Sequence, residues 1–116
     1  MTESDCLFCK IVAGEIPADI VFENDDVIAF RDVNPQAPTH VLIVPRRHIP
    51  TINDLEESDA RTVGNLYLAA KEVAADEGFA ASGYRVVMNC NAAAGQTVFH
   101  IHLHFLGGRI LGWPPG

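Results

Sequence analysis

The apolar positions of this chain change period several times, and those changes mark out its elements. Leu7 to Ala13 is short and mostly apolar, enough for two helical turns before Gly14, and Ile16-Pro17 blocks any continuation. Two runs, Asp19 to Glu23 and Val27 to Arg31, flank Asn24-Asp25-Asp26 and read as the strands of a hairpin. Asn34-Pro35-Gln36-Ala37-Pro38 is a turn-rich connector whose prolines fix its course. The run His40 to Val44 reads as a central strand stopped by Pro45. From Glu57 or Ser58 the period becomes helical: Val63, Leu66, Tyr67, Ala70, Val73 and Ala74 form an apolar stripe, and Gly78 is a natural stop. Strand patterns return over Tyr84 to Asn91 and His100 to Leu106, on either side of Ala92-Ala93-Ala94-Gly95. Cys90, inside the first of these, reads as a small buried hydrophobe. Five strands with one long and one short helix, not strictly alternating, predict an α+β domain on a mainly antiparallel sheet.

Length and composition narrow the class. A chain of 116 residues without repeat or linker suits one domain, 1–116, with residues 1–5 expected to be flexible. Its hydrophobic content of 48% and charged content of 20% are those of a globular chain. The net charge of −7 argues against sequence-independent nucleic-acid binding, since Arg46-Arg47 is too short a basic patch to reverse it. No apolar run approaches the roughly 20 residues that cross a bilayer, so no membrane partner is expected. The acidic start Met1-Thr2-Glu3-Ser4-Asp5 is the reverse of a secretory signal, and three cysteines fit reduced thiols better than a disulfide framework. A cytoplasmic location is expected.

The chemistry concentrates in His100-Ile101-His102-Leu103-His104. On a strand, alternate side chains share a face, which lines the three imidazoles up at intervals of about 6.6 Å and turns Ile101, Leu103 and Phe105 to the other side. Imidazoles so placed can ligate a metal, transfer protons near neutral pH or attack phosphorus. Just upstream, Gly95-Gln96-Thr97 offers close backbone approach, an amide and a hydroxyl, the parts of a phosphate cradle.

The run His100 to Leu106 resembles the His-φ-His-φ-His-φ-φ signature of the histidine triad superfamily. Phe8-Cys9-Lys10-Ile11-Val12, Gly14-Glu15-Ile16-Pro17, Pro35 to His40, Gly95 to Val98 and the Trp113-Pro114-Pro115-Gly116 ending are similar to its nucleotide-binding branch. The likeness runs from about Cys6 to the C-terminus. It implies a homodimer whose two five-stranded sheets join into one, with the tail 107–116 at the dimer interface. The activity implied is hydrolysis of purine nucleoside phosphoramidates or acyl-adenylates, without a catalytic cofactor, through a nucleotidyl-histidine intermediate. His102 is then the nucleophile, His104 holds the phosphate and helps protonate the leaving group, His40 orients His102, and Thr97 takes part through its hydroxyl. The same resemblance puts Asp32 on the ribose hydroxyls, and Val33, Phe8, Ile11, Ile16 and Phe30 around the base. Asn89, Gly95, Gln96, Thr97, His102 and His104 are expected around the phosphate. Two departures from relatives stand out: Thr97 replaces a common Ser, and residues 89–94 are less glycine-rich and less acidic than in some.

A single Cys6-x-x-Cys9 pair is a weak zinc signal, and no strand–motif–helix pattern supports a redox role. Two imidazoles would complete a tetrahedral site; in bacterial members of the family they correspond to His48 and His100, so the resemblance implies a structural zinc. The alternative is two packed thiols. Rival functions are a dinucleoside polyphosphate hydrolase using the same His102, a non-catalytic nucleotide sensor acting through protein partners, and a three-histidine metal catalyst.

Overall fold

The computed structural model describes residues 5–116, so the first four of the five residues expected to be flexible lie outside the described part. Helix α1 spans Leu7–Val12; strands β1 (Ile20–Glu23), β2 (Val27–Arg31) and β3 (Thr39–Pro45) follow; helix α2 spans Ala60–Glu77; β4 (Arg85–Val87) and β5 (Leu103–Gly107) complete the set. The strands form one antiparallel sheet in the order β1-β2-β3-β5-β4. This is the expected α+β architecture. The hairpin between β1 and β2 closes on Asn24, whose Oδ1 accepts the N–H groups of Asp26 and Val27 at 2.9 Å each.

The sheet is covered on both faces, which explains the uninterrupted apolar run of β3. Val27, Ala29, Val41, Ile43, Leu103 and Phe105 pack with Leu66, Ala69, Ala70, Val73 and Ala74 of α2. The alternate positions Ile28, Phe30, Leu42 and Val44 meet Cys6, Phe8 and Ile11 at the start of the chain. Because side chains alternate along a strand, His40 shares the second face with Leu42, and His104 lies there too, directly opposite Leu42. The small helix α1 therefore covers the same side of the sheet as the histidines.

Helix α2 is entered through a 3-10 turn, Glu57–Asp59, in which the Asp59 carboxylate accepts the Glu56 N–H at 2.9 Å and pairs with Arg47 at 2.6 Å. It ends at Gly78, whose φ of 84° suits a residue without Cβ and lets its N–H cap the carbonyls of Ala74 and Ala75. Within the expected stripe Tyr67 is the exception: it is 50% exposed, and Ala69 takes the inward place.

Three strand expectations need correction. β4 covers only Arg85–Val87 rather than Tyr84 to Asn91, and β5 begins at Leu103 rather than His100. Cys90 falls outside β4 and is only half-buried. The cause is common to all three: before Leu103 the chain turns away from β4, and the Ile101 N–H bonds the Ile49 carbonyl at 2.8 Å instead. Residues after Val87 thus lose their ladder partner, and the Asn91 N–H turns to the Gln96 side chain at 2.8 Å.

Gly107 of β5 lies so close to Phe79 that a Cβ there would meet its ring at 2.7 Å. Gly107→Ala should therefore destabilise the fold by about 1–3 kcal/mol, the usual range for forcing volume into a packed site. Denaturant unfolding checks this, and an unchanged midpoint would show that Phe79 swings aside freely.

Candidate active site

Each histidine here has a partner on at least one ring nitrogen, and a partner that can only donate or only accept dictates which nitrogen keeps the proton. The Nδ1 of His102 stands 2.7 Å from the carbonyl oxygen of His100. A carbonyl only accepts, so Nδ1 carries the proton and Nε2 presents a lone pair. The opposite arrangement holds for its neighbour. The Gln36 N–H donates to Nδ1 of His40 at 3.0 Å, which leaves the His40 proton on Nε2. That Nε2–H donates to Nδ1 of His104 at 2.9 Å, so His104 carries its own proton on Nε2. With ring centroids 4.9 Å apart, His102 and His104 form a pair of opposite kinds: one offers a lone pair, the other an N–H.

Burial keeps this arrangement neutral. Loss of hydration pushes the pKa of His104 down to about 4, helped by His102 and His40 nearby, and depresses His40 and His102 in the same direction. Asp32, 3.5 Å from His40 Nε2, opposes the shift in all three. A neutral imidazole with a bare Nε2 is the form that attacks phosphorus.

Asp32, His40 and His104 also converge closely enough to suggest metal ligands. Their tautomers argue otherwise. For His40 Nε2 to ligate, its proton would have to move to Nδ1, against the N–H of Gln36. Instead the two imidazoles share a hydrogen bond, and Asp32 stands beside it as a charge 3.5 Å from His40 Nε2.

Beside the imidazoles opens a mostly apolar cleft of about 480 Å³. It gathers all six residues expected around the nucleoside: Phe8, Ile11, Ile16, Phe30, Asp32 and Val33. Leu7, Pro17, Ala18, Asp19, Arg31 and Leu42 also line it and were missed in the sequence. Phe8 connects cleft and triad, standing edge-on to the His102 ring with centroids 5.0 Å apart. Asp32 makes the second connection through His40, while its Oδ1 accepts the Asn34 N–H at 2.8 Å.

The expected phosphate loop is a tight structure held by one buried side chain. Gln96 accepts the Asn91 N–H and donates both amide hydrogens, to the Pro50 carbonyl at 2.8 Å and the Val98 carbonyl at 3.1 Å. Its amide is thereby committed to shaping the loop. Asn91 has φ 65° and ψ −174°, a conformation nearly reserved for glycine, and Gly95 has φ 87° at the end of the Ala92–Ala94 turn. Thr97 is exposed and Asn89 half-buried.

His100 departs from the arrangement expected of three imidazoles facing one pocket. Fully buried, it donates its Nε2–H to the Pro45 carbonyl at 2.8 Å and turns Nδ1 toward Cys6 Sγ at 3.3 Å, Cys9 Sγ at 3.5 Å and His48 Nδ1 at 3.2 Å. His48 Nδ1 is 3.3 Å from Cys9 Sγ, and all four ligand atoms lie within 4.8 Å of one another. Zinc bonds of about 2.3 Å to sulfur and 2.0–2.1 Å to nitrogen place tetrahedral ligand atoms about 3.3–3.8 Å apart. The spacing and the soft donor set fit that ion, and the residues are the four expected.

Against known proteins, residues 13–111 match the family model described as HIT domain. The chain is 50% identical over 108 residues to the purine nucleoside phosphoramidase of Escherichia coli K12, spanning 93% of this chain and 91% of that one. A HIT family hydrolase from Legionella pneumophila Philadelphia 1 superimposes with a TM-score of 0.94 at 55% identity, covering 97% of this chain and all of the other. A zinc-bound histidine triad family protein from Mycobacterium smegmatis aligns with a TM-score of 0.79 at 33% identity, over 93% of this chain and 78% of that one. On these matches the chain belongs to the histidine triad (HIT) family. It is a hydrolase of the histidine triad type. Among the described residues no helix is long and apolar enough to cross a membrane.

The depressed pKa of His104 also links stability to pH. A histidine of the unfolded chain titrates near 6.5, while folded His104 titrates at about 4. In that window the unfolded state binds more protons, so stability present above pH 6.5 is lost as pH falls toward 4. His104→Gln should flatten this decline, measured by denaturant midpoints at pH values of about 7 and 4.5. An equally steep decline in the variant would assign it to other groups.

Proposed function

We propose that this chain cleaves nucleoside 5'-phosphoramidates or acyl-adenylates, with a purine nucleoside in the apolar cleft and the α-phosphorus before His102 and His104. The observation that carries the reading is the opposed tautomers of those two rings beside a mostly apolar cleft of about 480 Å³. The phosphoramidase name of the Escherichia coli relative supports the same substrate class.

In this reading Phe8, Ile11, Ile16, Phe30 and Val33 enclose the base, while Asp32 accepts hydrogen bonds from the ribose hydroxyls. Asn89, Thr97 and the backbone at Gly95 and Gln96 surround the phosphate, with Gln96 contributing by holding the loop. The His102 Nε2 lone pair attacks phosphorus and the P–N bond breaks toward nitrogen. His104 Nε2–H holds the phosphate and hydrogen-bonds the departing nitrogen, which takes up a proton from solvent as it leaves, giving free amine and an AMP–His102 intermediate. Water then attacks the same phosphorus, releases AMP with His102 restored, and gives its proton back to solvent. His40, expected to orient His102, bonds His104 instead and acts behind the pair by keeping His104 in its donor tautomer. No cofactor enters these steps.

The Cys6, Cys9, His48 and His100 set would hold a structural zinc, which supplies a cross-link between α1, the segment after β3 and the start of the triad. Two copies would join through β4, which forms one edge of the sheet. The exposure of Ile110 (95%) and Trp113 (83%) supports a role for the tail 107–116 at that interface. A cytoplasmic location agrees with reduced cysteines.

His102→Ala should lower kcat on adenosine phosphoramidate by about 10³-fold or more, with AMP binding changed far less. In a stopped reaction of the wild type, mass analysis should find AMP on the peptide containing His102. Activity within about tenfold of wild type would remove His102 from the nucleophile's place. A protein that binds AMP and releases no amine would be a sensor, and preferential cleavage of dinucleoside polyphosphates would favour the rival hydrolase.

Zinc is tested separately. Protein purified without chelator should contain about one equivalent per chain, and chelation should lower its melting temperature, because metal binding adds to folding free energy. Elemental analysis without zinc would favour packed thiols.

A further inference from the structure

The four-residue cluster and the attacking imidazole meet in one residue. His100 gives both nitrogens of its ring to the cluster and to Pro45, and its main-chain carbonyl to His102 Nδ1. A second connection runs through α1. Cys6 caps this helix, accepting the Cys9 N–H at 3.4 Å, and Phe8 between the two cysteines stands edge-on to both imidazoles, 6.0 Å from His100 and 5.0 Å from His102.

The carbonyl of His100 does more than pack against its neighbour. It accepts the His102 Nδ1–H, so the proton sits on Nδ1 and Nε2 is left bare. A small rotation of the peptide would free that proton to move to Nε2, where it blocks attack. The segment 97–102 is outside regular strand structure, so no sheet ladder restrains that rotation. What restrains it is the Ile101–Ile49 bond on one side and the clamped His100 ring on the other.

We propose that Cys6, Cys9 and His48 are positioning residues for His102: by clamping the His100 ring they fix the carbonyl that sets the tautomer and aim of the nucleophile. Here the cluster acts on the reaction without touching substrate. The inference rests on His102 being the nucleophile, as proposed above, but its first readout does not need turnover.

The test uses full-length protein with ¹⁵N-labelled histidine, loaded with Zn²⁺, and reads the two His102 ring nitrogens by long-range ¹H–¹⁵N correlation. The loaded wild type should show one tautomer, protonated at Nδ1. His48→Ala and Cys9→Ser should show both tautomers, and kcat on adenosine phosphoramidate should fall about tenfold or more while the AMP Kd stays within about twofold. Chelation of the wild type should do the same, and adding Zn²⁺ back should restore the single tautomer; this arm carries the test if a variant fails to fold. Ala70→Gly in α2, which weakens the fold away from the cluster, should leave His102 in its single tautomer. A single Nδ1-protonated His102 in the folded variants and the chelated wild type would overturn the proposal and leave the cluster a cross-link only. A tautomer that responds in a protein without phosphoramidase turnover would support the positioning role while removing the substrate reading.

Discussion

Because β3 and β5 pair antiparallel with Leu42 opposite His104 and His40 opposite Leu106, two histidines 64 positions apart become diagonal neighbours on one face of the sheet. Most of the molecule depends on that register. On one side it sets Val41, Ile43, Leu103 and Phe105 against α2, and this core keeps both strands central. On the other it delivers His40 to His104 at hydrogen-bond distance and leaves Phe8 of α1 to close over the imidazoles. A slip of one residue would send the histidines into the α2 core and the apolar residues into the cleft, so burial enforces the register that the site requires.

Each imidazole is then specified by an ordinary backbone group. The Gln36 N–H, the His100 carbonyl and the Pro45 carbonyl settle the tautomers of His40, His102 and His100 in turn. The result is one bare nitrogen and one N–H side by side at neutral charge, maintained by burial. The same logic separates the two histidine clusters: one carries a proton between its rings, while the other turns an imidazole lone pair toward two thiols.

The loop of residues 91–98 shows how such a site is held. An Asn in a conformation suited to glycine costs of order 1–3 kcal/mol, and the buried Gln96 amide, with three hydrogen bonds, offsets it. Gln96 and the Ile101–Ile49 bond tie this loop to the segment after β3 that carries His48. Loop, cluster and triad thus form one connected unit beside the sheet.

Much of this was legible in the sequence. The change from period two to period 3.6, the Asn24 turn, the Gly78 stop and the double-sided burial of β3 follow from local chemistry and alternation. The triad and the Cys-x-x-Cys pair could be picked out because their residue types are rare and their spacing is regular. Alternation also placed Ile101, Leu103 and Phe105 in the core correctly. It failed where the chain leaves the ladder: β4 stops at Val87, β5 starts at Leu103, and His100 points into a different cluster from His102 and His104. Periodicity describes a strand and carries no information on where a strand surrenders its hydrogen bonds to a distant segment. The amphipathic stripe likewise could not tell that Tyr67 faces outward and Ala69 inward, since that depends on how α2 rolls against the sheet. The tautomers were decided by tertiary structure alone, because a ring proton goes where its neighbour accepts it, and those neighbours are identified only once Gln36, Pro45 and the His100 carbonyl have been folded into place.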